Sequence, residues 1–112
     1  MEAKTTEQGG VTILSLSGRA SASEAKTLSE AIEALRKSAK GRAVLDVERL
    51  DNFPSSAVGS LIETIRAMEG AGGRLILAAA SQNNRLVLER LGVMSMVQMA
   101  PTVEEAIELA KA

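Results

Sequence analysis

Few residues in this sequence could carry chemistry, and the most suggestive are hydroxyls. Ser55 and Ser56 stand together after Pro54, at the start of a stretch with helical apolar spacing. Two hydroxyls at a helix entrance can accept a phosphoryl group, or one can cap the helix by accepting a free amide, at a gain of about 1 kcal/mol. A cap accounts for one serine and leaves the other unexplained. A serine becomes a catalytic nucleophile only beside a base, and the chain contains no His and no Cys. Ser/His/Asp and Cys/His arrangements, thiolate zinc sites and imidazole acid–base chemistry are therefore absent. Asp46, Glu48 and Asp51 cluster near one strand end, but magnesium sites usually add substrate phosphates, so solvated loop acids fit better. The Gly70–Gly73 run follows a helix and precedes a strand, the reverse of a phosphate loop, and reads as a cap and turn. Met94, Met96 and Met99 read as core filler in preference to an adaptable binding surface. No catalytic residue, metal or cofactor is expected.

Composition narrows the partners. The chain has 112 residues, a net charge of −1, 46% hydrophobic residues and a single aromatic, Phe53. That length predicts one domain over residues 1–112. Near-neutral charge and one Phe leave neither a basic footprint nor a stacking platform, so nucleic acid is not an expected partner. No apolar run approaches the ~20 residues of a span, so direct membrane insertion is not expected either. The lack of Cys suits a reducing cytosol.

The hydroxyl pair needs elements to hold it. Val11-Thr12-Ile13-Leu14-Ser15-Leu16 predicts a strand, preceded across Gln8-Gly9-Gly10 by an antiparallel strand at residues 2–7. Ser21 and Glu24 have capping-box spacing, and Ala25, Leu28, Ile32, Leu35 and Ala39 form one apolar stripe ended by Gly41. Residues 43–47 predict a strand and 48–54 a polar loop. A helix from Ser55 or Ser56 carries Val58, Leu61, Ile62, Ile65 and Met68 inward. Arg74–Ala79 reads as a buried strand. Leu86, Val87 and Leu91 mark a short helix ended by Gly92, and Met94–Met99 reads as a last strand. Thr102 and Glu105 open the final helix. The expected fold is α/β: a mixed, mostly parallel sheet of four to five strands with about four helices. Loops 17–21, 48–55 and 80–83 then share one sheet edge, where function usually lies.

These residues resemble a known family. Val44-Leu45-Asp46-Val47 followed by Phe53-Pro54-Ser55-Ser56-Ala57-Val58-Gly59-Ser60-Leu61 is similar to the STAS domain of bacterial anti-sigma-factor antagonists. That family carries an aliphatic strand ending in Asp, a short loop and an Asp-Ser-Ser-Gly-Leu-Gly motif opening a helix. Leu16-Ser17-Gly18-Arg19, Gly73 to Leu77, and Val87 to Val93 resemble further family segments, so the likeness spans about residues 2–111. The resemblance implies a STAS fold and a non-enzymatic, cytoplasmic partner switch of the sporulation or stress-response type. The unphosphorylated domain would bind an anti-sigma factor, itself a serine kinase, and so regulate sigma-factor-dependent transcription. Phosphorylation would end binding, and a serine phosphatase would restore it. Motif matching puts the acceptor on Ser55, with Ser56 as the alternative. The partner surface would include Gly18, Arg19, Asn52, Pro54, Ser55, Ser56, Gly59 and Glu63, on a monomer or weak homodimer. Two positions depart from the motif: Pro54 replaces Asp, and Ala57 replaces the first Gly. They keep an alternative open, a non-phosphorylated STAS scaffold subunit of a lipid-transport ATPase or stress-sensing complex.

Overall fold

A computed structural model describes residues 1–38 and 41–112. Strand β1 (Glu2–Gln8) turns through Gly9-Gly10 into β2 (Val11–Arg19). Both glycines have positive φ, 59° and 81°, which a two-residue hairpin needs if its twist is to match the strands. All seven residues of β1 are exposed, so pairing with β2 holds it, and its Glu2, Lys4 and Glu7 suit an edge strand. Then follow α1 (Ala25–Ser38), β3 (Arg42–Asn52), α2 (Ser55–Gly70), β4 (Arg74–Ala78), α3 (Gln82–Arg90), β5 (Gln98–Ala100) and α4 (Val103–Lys111). The five strands lie in chain order in one sheet, with β1 antiparallel and the rest parallel.

Period-two alternation sends the two faces of the sheet into separate cores. Leu14, Leu16, Ala43, Leu45, Val47, Leu75 and Leu77 pack with Leu28, Ile32 and Leu35 of α1, Val58, Leu61, Ile65 and Met68 of α2, and Leu88 of α3. Val11, Ile13, Val44, Ile76 and Ala78 face the other way, against Ala106, Ile107 and Ala110 of α4. The Ala39 position of the expected α1 stripe lies outside the described residues. Gly41 adopts φ 87°, and Gly73 passes so close to it that a side chain there would meet the Gly41 carbonyl.

Three expectations change. The segment expected as a polar loop from 48 is strand as far as Asn52, because β2 also continues and pairs with it through Arg19↔Asn52. Two register shifts, between Ser15 and Ser17 and between Gly18 and Arg19, absorb extra residues on β3. Asp46 staples the first: its Oδ1 accepts from the Glu48 N–H at 3.1 Å and its Oδ2 from the Ser15 hydroxyl at 3.1 Å. The fourth strand stops at Ala78, since Ala79 turns to φ 57°. The last strand is short, Gln98–Ala100, and Met94–Met96 form a 3-10 turn after the Gly92 cap. In α3 the buried positions are Asn84 and Leu88, whereas Leu86 and Leu91 are exposed.

Candidate functional site

The hydroxyl pair opens α2, but neither serine caps it. Pro54 is the N-cap residue, with φ −65° and ψ 132°, and it offers no side-chain hydrogen bond. Proline's fixed φ and missing N–H suit a helix entrance, where donors go unpaired anyway. The first turn closes through the Ala57 N–H donating to the Pro54 carbonyl at 2.9 Å. Ser55 and Ser56 therefore occupy the first two helical positions, both exposed. Among the described residues neither hydroxyl has a hydrogen-bond partner. Of the two expected starts of the helix, Ser55 is the one observed, and the expected serine cap is replaced by Pro54.

Strand pairing gathers the neighbouring candidates. Gly18 pairs with Leu50 and Arg19 with Asn52, which brings the β2–α1 connection beside the entrance to α2. Gly18 has φ 89° and is exposed, a conformation that side-chain-bearing residues rarely adopt. Arg19 and Asn52 are exposed, and Pro54 is half-buried. Arg19 makes no ion pair among the described residues. The β2–α1 connection is tied down at Glu24, whose Oε2 accepts from the Met1 ammonium at 2.9 Å. That hydrogen bond, then one from the Ser21 backbone N–H, holds the Glu24 carboxyl below the usual glutamate range. Gly59 and Glu63, four and eight residues on from Ser55, continue the same exposed stripe of α2. Glu63 also lines a groove of about 470 Å³ between α1 and α2 with Glu30, Glu33, Arg36 and Lys37. That charged lining suits a polypeptide surface better than an apolar metabolite.

One residue at this edge was not legible as a candidate. Asn84 of α3 is 1% exposed. Its Oδ1 accepts from the Phe53 N–H at 2.8 Å, and its Nδ2 donates to the Leu50 carbonyl at 3.0 Å. A polar residue four positions before Leu88 on a buried helical stripe was the available signal, since a buried amide is rarely accidental.

The chemistry this edge can support follows from what it holds. The first turn of α2 carries no acidic side chain, and a helix N-terminus favours added negative charge by about 0.3–1 kcal/mol. No carboxylate among the described residues bonds either hydroxyl, and no group of three or more acidic side chains is gathered for a metal. An exposed hydroxyl without a base is suited to be a substrate for another protein's chemistry, not a catalyst.

Such a sheet, with an exposed serine pair opening the second helix, makes this an α/β domain of one mostly parallel sheet. The STAS domain family profile matches residues 2–106, and the chain belongs to that family. Among solved structures it is similar to an anti-sigma factor antagonist from Mycobacterium paratuberculosis, at 20% identity and TM-score 0.87, covering 99% of this chain and 94% of that one. It is similar also to the anti-sigma factor antagonist SpoIIAA in its unphosphorylated form, at 24% identity and TM-score 0.78, covering 98% and 96%. The Bacillus cell fate determinant SpoIIAA in the phosphorylated form matches at 24% identity and TM-score 0.70, covering 96% and 98%. No curated protein sequence gives a significant match.

Proposed function

We propose that this protein is an anti-sigma-factor antagonist, a non-enzymatic partner switch controlled by phosphorylation of Ser55. The observation that carries the reading is the free, exposed Ser55 hydroxyl at the first position of α2, on the edge where Gly18 and Arg19 pair with the end of β3. In the unphosphorylated state this edge binds an anti-sigma factor that is itself a serine kinase, releasing the sigma factor. The kinase then transfers the ATP γ-phosphoryl group: a bond forms between Ser55 Oγ and phosphorus, ADP leaves, and the hydroxyl proton passes to a base of the kinase. A serine phosphatase hydrolyses the ester and resets the switch. The resemblance to a protein known in both unphosphorylated and phosphorylated forms supports the cycle.

Physical terms support the same reading. Phosphoserine adds about −1.5 to −2 charges at pH 7, and the α2 N-terminus tolerates them. The fold survives modification. A partner surface pressed on Ser55 must instead desolvate a dianion, at several kcal/mol unless it supplies cations. Binding is lost and folding is kept.

Pro54 favours one second reading, a scaffold subunit that is never phosphorylated, because no carboxylate precedes the acceptor as in the family motif. Calorimetric titration of the chain with an ATPase-type anti-sigma kinase from the same organism separates the two. Tight binding that is lost after incubation with ATP supports the switch. A stoichiometric complex indifferent to ATP supports the scaffold.

A further inference from the structure

We propose that Asn84 is a positioning residue for Ser55, its side-chain amide standing in for a strand along the end of β3. The proposal deepens the reading of Ser55 as the site. On the β4 side, β3 is paired only from Arg42 to Asp46, because β4 ends at Ala78. Residues 47–52 of β3 thus run on without a strand neighbour there, while β2 grips their other side through Gly18↔Leu50 and Arg19↔Asn52. Buried backbone groups need partners. The Asn84 amide, with one donor end and one acceptor end like a peptide group, supplies them to the Leu50 carbonyl and the Phe53 N–H.

The position of these bonds matters for the serine. Phe53 is buried, at 2% exposure, and Pro54 has no N–H, so the bond from Phe53 to Asn84 is the last backbone tether before Ser55. Proline's φ, observed at −65°, allows little swivel between that tether and the helix. Asn84 is itself fixed, since its own N–H donates to the Ser81 hydroxyl at the α3 N-cap, at 3.1 Å. The aim of Ser55 is therefore set from α3, about thirty residues along the chain, and not by the α2 entrance alone.

Amide hydrogen exchange and chemical shifts of the full ¹⁵N-labelled chain test this. Asn84→Leu keeps the branched outline, with bulkier methyl groups in place of the amide, and removes both bonds. The expected result is faster exchange at Phe53, by about tenfold or more, with shifted Ser55 and Ser56 amide signals and unchanged protection at Ile76 in β4. Asn84→Asp supplies a variant with a pH signature. The introduced carboxyl, raised by burial and by the facing Leu50 carbonyl, can accept and donate as the amide does only when protonated. Ionised, it still accepts from the Phe53 N–H but cannot donate to the Leu50 carbonyl, so the ¹⁵N shift of Asp51, which shares that carbonyl's peptide group, should depart from wild type at neutral pH and return in acid. Phe53 and Ile76 losing protection in step, or Ser55 signals that stay in place, would overturn the proposal, as would a pH-independent Asn84→Asp. A wild-type chain that no kinase binds would defeat the partner-switch reading and leave these exchange results to decide the role of Asn84.

Discussion

Ser55 lies where backbone amides of the first helical turn are unpaired and the helix dipole is positive, and its hydroxyl contributes no bond to the fold. Ser55→Ala should therefore change stability by no more than about 0.5 kcal/mol, bind the kinase normally and resist ATP-dependent modification. Ser55→Asp should keep the melting temperature and weaken kinase binding. The loss should be smaller than for phosphorylation, because a carboxylate carries about half the charge. Calorimetry and thermal melts on both variants check this; a large stability loss in Ser55→Ala would mean that the hydroxyl is structural. Glu24 offers a second test at this scale. The Met1 ammonium and the Ser21 N–H depress its folded-state pKa. This contact's stabilisation is thus present above the unfolded glutamate value and lost as pH falls through the folded one. NMR titration should find the Glu24 midpoint below the usual glutamate range; a midpoint inside that range contradicts the contact. The serine pair itself was legible in the sequence, since two hydroxyls after a proline are conspicuous. That neither caps α2 was not, because Pro54 as N-cap residue is decided by backbone geometry.

Helix α2 carries both the site and much of the core, and Gly59 shows the two demands on it. The residue is exposed, and a Cβ built there meets nothing within 4 Å. Glycine inside a helix costs about 0.5–1 kcal/mol relative to alanine. Gly59→Ala should therefore raise stability by about that amount and weaken kinase binding, because the new methyl group stands on the stripe that Ser55 and Glu63 share. Denaturant melts and calorimetry read both effects; a stabilised variant with unchanged affinity would remove Gly59 from the interface. The elements with strong periodicity, α1, α2 and the strands centred on Leu14, Leu45 and Ile76, were readable because burial on one side leaves an apolar pattern. The ends of β2 and β3 were not. Their continuation to Arg19 and Asn52 depends on mutual pairing across two bulges, and polar residues such as Glu48, Arg49 and Asp51 look the same in a loop as on an exposed strand. In α3, the apolar Val87 packs against the core, but Leu86 and Leu91 stay exposed and the polar Asn84 is buried, because β3 offers unpaired backbone groups there. Tertiary demand outweighed side-chain hydrophobicity.

At the scale of the molecule, α1, α2 and α3 cover one face of the sheet and α4 covers part of the other. The proposed interface then belongs to one edge and one side. Hydrogen exchange in the kinase complex should show new protection over residues 18–21 and 52–60 and along the outer face of α2 at Glu63 and Arg66. Protection confined to α4, residues 103–111, would place the partner on the opposite side and defeat the account. The βα alternation that sets this arrangement was plain in the sequence, as was the edge to which the loops belong. Which residues meet across that edge was not, since Gly18 and Leu50, or Phe53 and Asn84, are some thirty residues apart. The most direct test of the switch is tandem mass spectrometry of the chain after incubation with its cognate kinase and ATP. The account predicts one phosphate, on Ser55, present in wild type and in Ser56→Ala and absent in Ser55→Ala. A phosphate on Ser56, or a chain that binds its kinase yet never takes up phosphate, would contradict it.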